Sequence, residues 1–404
     1  MSKRVTLIGM GCGGWNAVTR EGAEALERAD AVLGAARLME LLPDTVTETR
    51  LPEVRPDALS RLLRENRWER PCVLYGGDTG FYSGARLLIP RLEAERMDFR
   101  VIPGVSSVQA LAARLGRDWR GWALHSAHGA DCDAVAAVSR GKPTFFLTGA
   151  NSPAALCGQL AAAGLENLPV TVGENLGAAE ERITRTVAAE AANGDFSPLS
   201  VLLVEAAPKP YPDRTPGIPD ADFLRGDVPM TKQEVRTAIL AKLAVRPADT
   251  VWDVGAGTGS VSVELSRAAR RGRVYAVERN PDACALIRRN RERFGAWNLA
   301  PIFGAAPDAL ESLPAPDAVF VGGSGGTLEG VLNAAITKNP RVRLCISAVT
   351  LETLSAAVAR LTASGRAVEV VQISVSRTRT AGNLHLLTAQ NPVFLITSTS
   401  GDSV

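Results

Sequence analysis

One stretch constrains the fold more than any other: Thr250-Val-Trp-Asp-Val-Gly-Ala-Gly-Thr-Gly259. It opens with a short apolar strand, sets Asp253 at the strand's end, and then alternates glycines at Gly255, Gly257 and Gly259. A helix is expected from Ser260 to Arg270. A strand, a glycine turn and a helix in this order make a pocket for a nucleotide-like ligand. Glycines admit dihedrals that other residues avoid and let the backbone approach a ligand. The helix start offers unpaired N–H groups.

A second strand, Arg273 to Glu278, ends in an acid at the right remove to hold a pair of ribose hydroxyls. A dinucleotide cradle wants glycine at the third place of G-x-G-x-x-G, where this chain has Ser260. The pattern D-x-G-x-G-x-G followed by an acid-ended strand resembles motif I of the class I methyltransferases. Their ligand is S-adenosylmethionine, which carries no phosphate. The resemblance implies cofactor contacts at Gly255, Ala256, Gly257, Thr258, Gly259 and Glu278.

A chain of 404 residues exceeds one ordinary core, so two domains are expected. The apolar content of 46% and charged content of 22% are those of a globular protein. A net charge of +2 argues against nucleic acid as a partner, because phosphate neutralisation needs a stronger basic bias. The six cysteines are scattered with no C-x-x-C, and histidines occur only at His125, His128 and His385. Neither a disulfide framework nor a metal site is indicated. The N-terminal apolar run is too short for a signal peptide, and no run reaches membrane-spanning length. A reduced, cytoplasmic enzyme is expected, with no membrane partner.

The first half alternates strands and helices. Strands are expected at Arg4–Ile8, Ala31–Gly34, Pro71–Tyr75, Phe99–Ile102, Pro143–Leu147, Pro169–Gly173 and Ser200–Glu205, an α/β domain in two lobes. Gly9, Gly11 and Gly14 spell G-x-G-x-x-G, but Trp15 to Val18 intervene before the next helix start at Thr19. A dinucleotide site would begin its helix inside that turn, so this fingerprint is discounted. Three loops follow strand ends: the opening glycine turn, Gly76 to Tyr82, and Pro103-Gly-Val-Ser-Ser107. Together they resemble the tetrapyrrole methylase family, which binds S-adenosylmethionine between two lobes. The resemblance implies contacts at Gly77, Asp78, Phe81, Ser106 and Ser107, with Thr79 where many members carry proline.

Prolines at 208, 210, 212, 216 and 219 then forbid a helix and favour an extended connector. The boundary is placed near residue 212, giving a tetrapyrrole methylase domain over 1–211 and a class I (Rossmann-like) methyltransferase domain over 212–404.

Beyond it, Met230 to Arg236 is expected to open a helix, with Thr231 and Glu234 as a capping box. Strands follow at Leu299–Phe303, Asp317–Val321 and Arg341–Ala348. Two late strands, Val368–Ser376 and Pro392–Thr397, are separated by a loop carrying Arg377 and Arg379. Ser398 to Val404 reads as a frayed tail. This half resembles the decarboxylating precorrin C15-methyltransferases of cobalamin biosynthesis. The carrying residues are Gly217 to Asp220, Met230 to Arg236, Asp253 to Gly259, Gly304 to Leu310, Val321 to Gly326 and Asn391 to Val393. Joined to a tetrapyrrole methylase half, the whole chain resembles the family of fused C5,15-methyltransferases. Ala305 stands where that family suggests an acid, which leaves the adenine contact to the backbone of Ala306. Thr231 is expected at the methionine end of the cofactor.

The resemblance implies two methyl transfers from S-adenosylmethionine to a precorrin and loss of carbon dioxide from an acetate side chain, by a homo-oligomer. No nucleophile-plus-base triad is visible, in keeping with a reaction whose methyl donor is already activated. No catalytic residue declares itself. The tetrapyrrole substrate is a polyanion, so arginine forks suit its carboxylates, and Arg377 and Arg379 are the candidates. Two rival readings stay open: a methyltransferase on another tetrapyrrole, as in siroheme synthesis, or one half acting as a non-catalytic cofactor-binding module.

Overall fold

The computed structural model describes residues 3–129, 132–206 and 216–399. It divides into two compact units, Met1–Ala134 with Lys142–Glu205 and Val135–Gly141 with Ala206–Val404. The expected boundary near 212 falls outside the described residues.

The first unit contains two sheets. One holds β1 (Arg4–Gly9), β2 (Ala31–Gly34), β3 (Arg50–Pro52), β4 (Pro71–Tyr75) and β5 (Asp98–Ile102) in the order β3-β2-β4-β1-β5. All its pairings are parallel. Burial of both faces explains why β1 from Val5 and all of β2 are nearly continuous in apolar residues, Thr6 being the exception. Val5, Leu7, Leu33 and Val73 pack on one face, and Ile8, Val32, Cys72 and Leu74 on the other. The second sheet holds β6 (Ala123–Ser126), β7 (Thr144–Leu147), β8 (Pro169–Glu174), β9 (Arg182–Val187) and β10 (Ser200–Val204), ordered β6-β7-β10-β8-β9. Its pairings are antiparallel except β6 with β7. The two-lobed α/β expectation matches these two sheets, although β3, β6 and β9 carry no clear sequence signal. Trp15–Ala17 forms a single 3₁₀ turn, and Thr19 caps the helix Arg20–Glu27 by accepting from the Gly22 N–H at 3.2 Å.

The second unit is built on seven strands: β11 (Thr250–Val254), β12 (Arg273–Glu278), β13 (Leu299–Phe303), β14 (Ala318–Val321), β15 (Arg343–Ala348), β16 (Ala367–Ile373) and β19 (Val393–Thr399). Their order is β13-β12-β11-β14-β15-β19-β16. The first five run parallel, and β19 runs antiparallel to both of its neighbours. Residues alternate faces along each strand. Val251, Val274, Phe320 and Leu395 therefore join one apolar cluster, while Trp252, Val277, Val319 and Ile396 join the other. The antiparallel end expected from the two late strands is present.

Three expectations in this half need correction. Arg377 and Arg379 do not sit in a loop. Between β16 and β19 the chain forms a separate two-stranded hairpin, β17 (Ser376–Ala381) with β18 (Leu384–Ala389). Its side chains are largely exposed, so no apolar alternation marks it in the sequence. The capping box at Thr231 is absent: the helix is Gln233–Leu243, its N-cap is Lys232, and no side chain caps it. Ser398 and Thr399 are not a tail but the end of β19, whereas 400–404 lie outside the described residues.

Arg236 organises the start of this unit. It is fully buried on that helix, where an unpaired charge would be costly. Its guanidinium donates to Glu264 Oε1 at 3.1 Å, Asp220 Oδ1 at 2.8 Å, the Thr231 carbonyl at 2.5 Å and the Ile218 carbonyl. Glu264 in turn accepts the N–H groups of Gly217 at 2.7 Å and Ile218 at 3.1 Å. The segment entering the unit is thereby stapled to two helices.

Candidate functional site

In the second unit the carboxyl ends of β11, β12 and β14 open onto a cavity of about 880 Å³. Ligands bind at this edge of an open α/β sheet, where strand order reverses. The glycine turn after β11 is shaped by close approach: a Cβ built on Gly255 would fall 2.2 Å from the Gly323 carbonyl oxygen. Gly255, Gly257 and Gly259 all have positive φ, of +72°, +57° and +76°. Glu278, at the end of β12, accepts the N–H of Gly257 and of Asn280, both at 2.9 Å. An ionised carboxylate offers about four acceptor positions, so room is left for ligand hydroxyls. Gly255, Ala256, Gly257, Thr258, Glu278, Ala306 and Thr231 all line the cavity, so the structure brings together these sequence-named residues. Gly259 does not line it; it is the left-handed N-cap of the helix Ser260–Ala268 and packs on Ile287. The Ala306 carbonyl accepts the Thr327 hydroxyl at 2.9 Å.

Asp253 is the unusual group here. It is fully buried, accepts the Ser262 hydroxyl through Oδ2, and leaves Oδ1 without a hydrogen-bond partner. Burial pushes its carboxyl up to about 7; the Ser262 hydroxyl opposes that rise, and the Glu278 carboxylate adds to it. The Thr258 hydroxyl is likewise buried and unpartnered. Both residues line the cavity. Unsatisfied buried polar atoms are uncommon and call for an explanation. Two carboxylates facing a cradle suit a ligand with a cationic group and hydroxyls, and repel a phosphate.

In the first unit the three loops singled out in the sequence do meet, at the carboxyl ends of β1, β4 and β5. Gly11 and Gly77 exchange backbone hydrogen bonds, at 3.0 and 3.1 Å. A Cβ on Gly104 would fall 2.3 Å from the Gly77 carbonyl oxygen and 2.6 Å from that of Gly9. Asp78 joins two of the loops, accepting the N–H of Gly80 at 2.8 Å and of Gly104 at 3.2 Å. Ser106 is buried and forms a capping box with Gln109 at the head of the helix Ser107–Leu115. Ser107 is half-buried at its first turn. Phe81 packs on Phe145, ring centroids 6.1 Å apart. The carboxylate of Asp78 and the hydroxyl of Ser106 thus serve the loops themselves, and backbone groups are left to face a ligand.

The arginine candidates separate. Arg377 is engaged by Glu234, at 2.5 and 3.1 Å, and by Asp220 at 3.1 Å. Arg379, two places along β17, is exposed, and its side chain makes no hydrogen bond or ion pair among the described residues. Neither lines the cavity. Three arginines that no motif pointed to do: Arg225, Arg279 and Arg289. Asp253 was visible at its strand's end, but its burial without a partner was not. The signal for Arg225 and Arg289 is a contact between segments distant in sequence, described below, and no local pattern carries it.

The profile of the tetrapyrrole (corrin/porphyrin) methylases matches residues 4–192, and that of the precorrin methyltransferase domain matches 222–400. A precorrin-6Y C(5,15)-methyltransferase (decarboxylating) of Sinorhizobium sp. is 33% identical over 341 residues, covering 83% of this chain and 82% of that protein. A probable cobalt-precorrin-6B C(15)-methyltransferase (decarboxylating) of Pyrobaculum calidifontis is 44% identical over 191 residues, 46% of this chain and 98% of its own length. Among solved structures, a precorrin-6Y C5,15-methyltransferase of Geobacter metallireducens shares 38% identity, covers 47% of this chain and all of its own, and superposes with a TM-score of 0.45. Similarity to a two-activity relative runs through both halves, and the chain belongs to the family of decarboxylating precorrin-6Y C5,15-methyltransferases.

Proposed function

We propose that this chain transfers two methyl groups from S-adenosylmethionine to C5 and C15 of a precorrin and releases an acetate carboxyl as carbon dioxide, in cobalamin biosynthesis. The observation that carries this is the alignment with the Sinorhizobium relative across 83% of the chain, under a name that holds both methylations and the decarboxylation. The two activities divide at the proline-rich connector, the C5 reaction over 1–211 and the C15 reaction with decarboxylation over 212–404. Self-association and a cytoplasmic location belong to the same reading. Among the described residues no helix is long and apolar enough to cross a membrane. Light scattering at a multiple of 42.6 kDa tests the self-association.

The cavity of the second unit fits the methyl donor on three counts. Asp253 Oδ1 and Thr258 Oγ1 wait for hydrogen bonds, Glu278 has free acceptor positions at the end of β12, and the glycine turn lacks the side chains that would fill it. When bound, S-adenosylmethionine supplies a methyl group that is already activated. The protein's part is then positioning in a site shielded from water, worth several orders of magnitude without a nucleophile. Glu278 holds ribose hydroxyls, Asp253 faces the cationic end with Thr231 nearby on the wall, and the backbone at Ala306 meets the base. In the first unit Gly77, Asp78 and Ser106 fix the loops, with Phe81 and Ser107 beside them, and their backbone groups hold a second donor.

Mass spectrometry of a precorrin incubated with the enzyme and S-adenosylmethionine tests the reading. Two methyl gains with one loss of carbon dioxide are expected; an unchanged mass from a competent substrate would sink it. Calorimetry on the native protein is expected to find two donor sites per chain. Glu278→Ala should leave one.

A further inference from the structure

We propose that Arg225 and Arg289 form the carboxylate anchor for the tetrapyrrole at the cavity of the second unit, a role the hairpin arginines do not fill. The proposal rests on the tetrapyrrole methyltransferase reading above and deepens it.

The pair is created by one buried amide. Asn290 is fully buried on the helix Pro281–Phe294. Its Oδ1 accepts the Leu224 N–H at 2.8 Å, and its Nδ2 donates to the Leu224 carbonyl at 3.0 Å. The same Nδ2 reaches the Thr258 carbonyl in the glycine turn at 2.9 Å. Beside this clamp the rings of Phe223 and Phe294 lie 4.7 Å apart. The segment before the unit's first long helix is thus fixed to the helix Pro281–Phe294 and to the cradle at once. Arg225 is the chain neighbour of one clamp member, and Arg289 of the other. Both therefore stand on the same rim, both are exposed, and both line the cavity.

Neither guanidinium makes an ion pair or hydrogen bond among the described residues. Arg236 and Arg377, by contrast, are each satisfied by two carboxylates. Two arginines without a partner on one cavity lining can each take an anion, although Asp227 and Asp282 stand on the same lining. Each fork can take a carboxylate through two parallel hydrogen bonds. The groups suited to the methyl donor stand elsewhere, at the ends of β11 and β12. A ligand with several carboxylates spread around a ring matches a split pair of forks better than the donor's single carboxylate does. On the helix, Asp282, Leu286 and Arg289 share one face at four- and three-residue spacing, so Leu286 gives the ring an apolar seat next to the charge.

The test compares the full chain with Arg225→Ala/Arg289→Ala and with Arg225→Lys/Arg289→Lys. Uroporphyrin, a stable polycarboxylate tetrapyrrole, is titrated by fluorescence, S-adenosylmethionine by calorimetry, and precorrin turnover is followed for KM and kcat. The alanine pair should weaken porphyrin binding and raise KM by roughly tenfold or more, with kcat and donor affinity within about twofold. The lysine pair should fall between, because a point charge lacks the fork. Unchanged porphyrin affinity in the alanine pair overturns the proposal and leaves the methyltransferase reading standing. So does a loss confined to the methyl donor. If the native protein neither binds the porphyrin nor methylates a precorrin, both fall together. If the alanine pair does not fold, the lysine pair decides: weaker porphyrin binding supports the anchor, and native affinity overturns it.

Discussion

Asp253 is the residue at which structure and function pull against each other. Its carboxyl sits near 7 because burial disfavours the charge, while an unfolded chain returns it to about 3.8. Between those values the folded protein holds a proton that the unfolded chain has released, so rising pH favours unfolding. Above about 7 both states are ionised and the dependence ends. Asp253→Asn is expected to remove this slope. Between about pH 5 and about pH 8 the native protein should lose roughly 3 kcal/mol more stability than the variant, measured by urea unfolding. A slope equal in the two proteins would show that Asp253 is ionised throughout. The variant should also bind the methyl donor more weakly, since an amide offers no charge to a cationic group. Thr231 shows the opposite case. Its hydroxyl and the spacing to Glu234 read as a cap, yet the N-cap is one place later, at Lys232, and the Thr231 carbonyl accepts from Arg236 instead.

At the scale of elements, the sequence is legible wherever a strand is buried on both faces. The runs Arg4–Gly9, Ala31–Gly34 and Thr250–Val254 are predominantly apolar and almost wholly buried, and their parallel partners follow at helix-length spacing. The strands that escape are those with little to bury: Arg50–Pro52 is three residues long, and β17 presents Arg377, Thr378 and Arg379 to solvent or to ion pairs. The three glycine loops of the first unit were legible as turns, but their mutual contact was not, since it depends on strand order. That contact can be tested at Gly104. A methyl group there meets two carbonyl oxygens well inside contact distance, and neither is on a movable side chain. Gly104→Ala should lower stability by about 1–3 kcal/mol, the range for overpacking. Calorimetry should then find one donor site per chain, the one at Glu278. Two intact sites in the variant would mean that the loop junction does not form a donor site.

For the whole molecule, the match to a two-activity relative and the two compact units describe the same bipartite chain from independent sides. They do not begin the second unit at the same residue. The precorrin methyltransferase profile starts at 222, whereas the staple around Arg236 reaches back to Gly217. Ile218 is 1% exposed, and Asp220 holds both Arg236 and Arg377. A chain begun at Pro216 keeps that staple whole, although it lacks the Val135–Gly141 segment of the unit. One begun at Asp222 strips Arg236 of Asp220 and of the Ile218 carbonyl, and strips Glu264 of two N–H donors. Breaking a buried pair in this way costs about 3–5 kcal/mol, read as a lower urea midpoint. Equal midpoints for the two chains would refute it. The profile begins at 222 but the staple begins a few residues earlier, so a cut placed at the profile's edge would sever the fastening between the entering segment and its two helices.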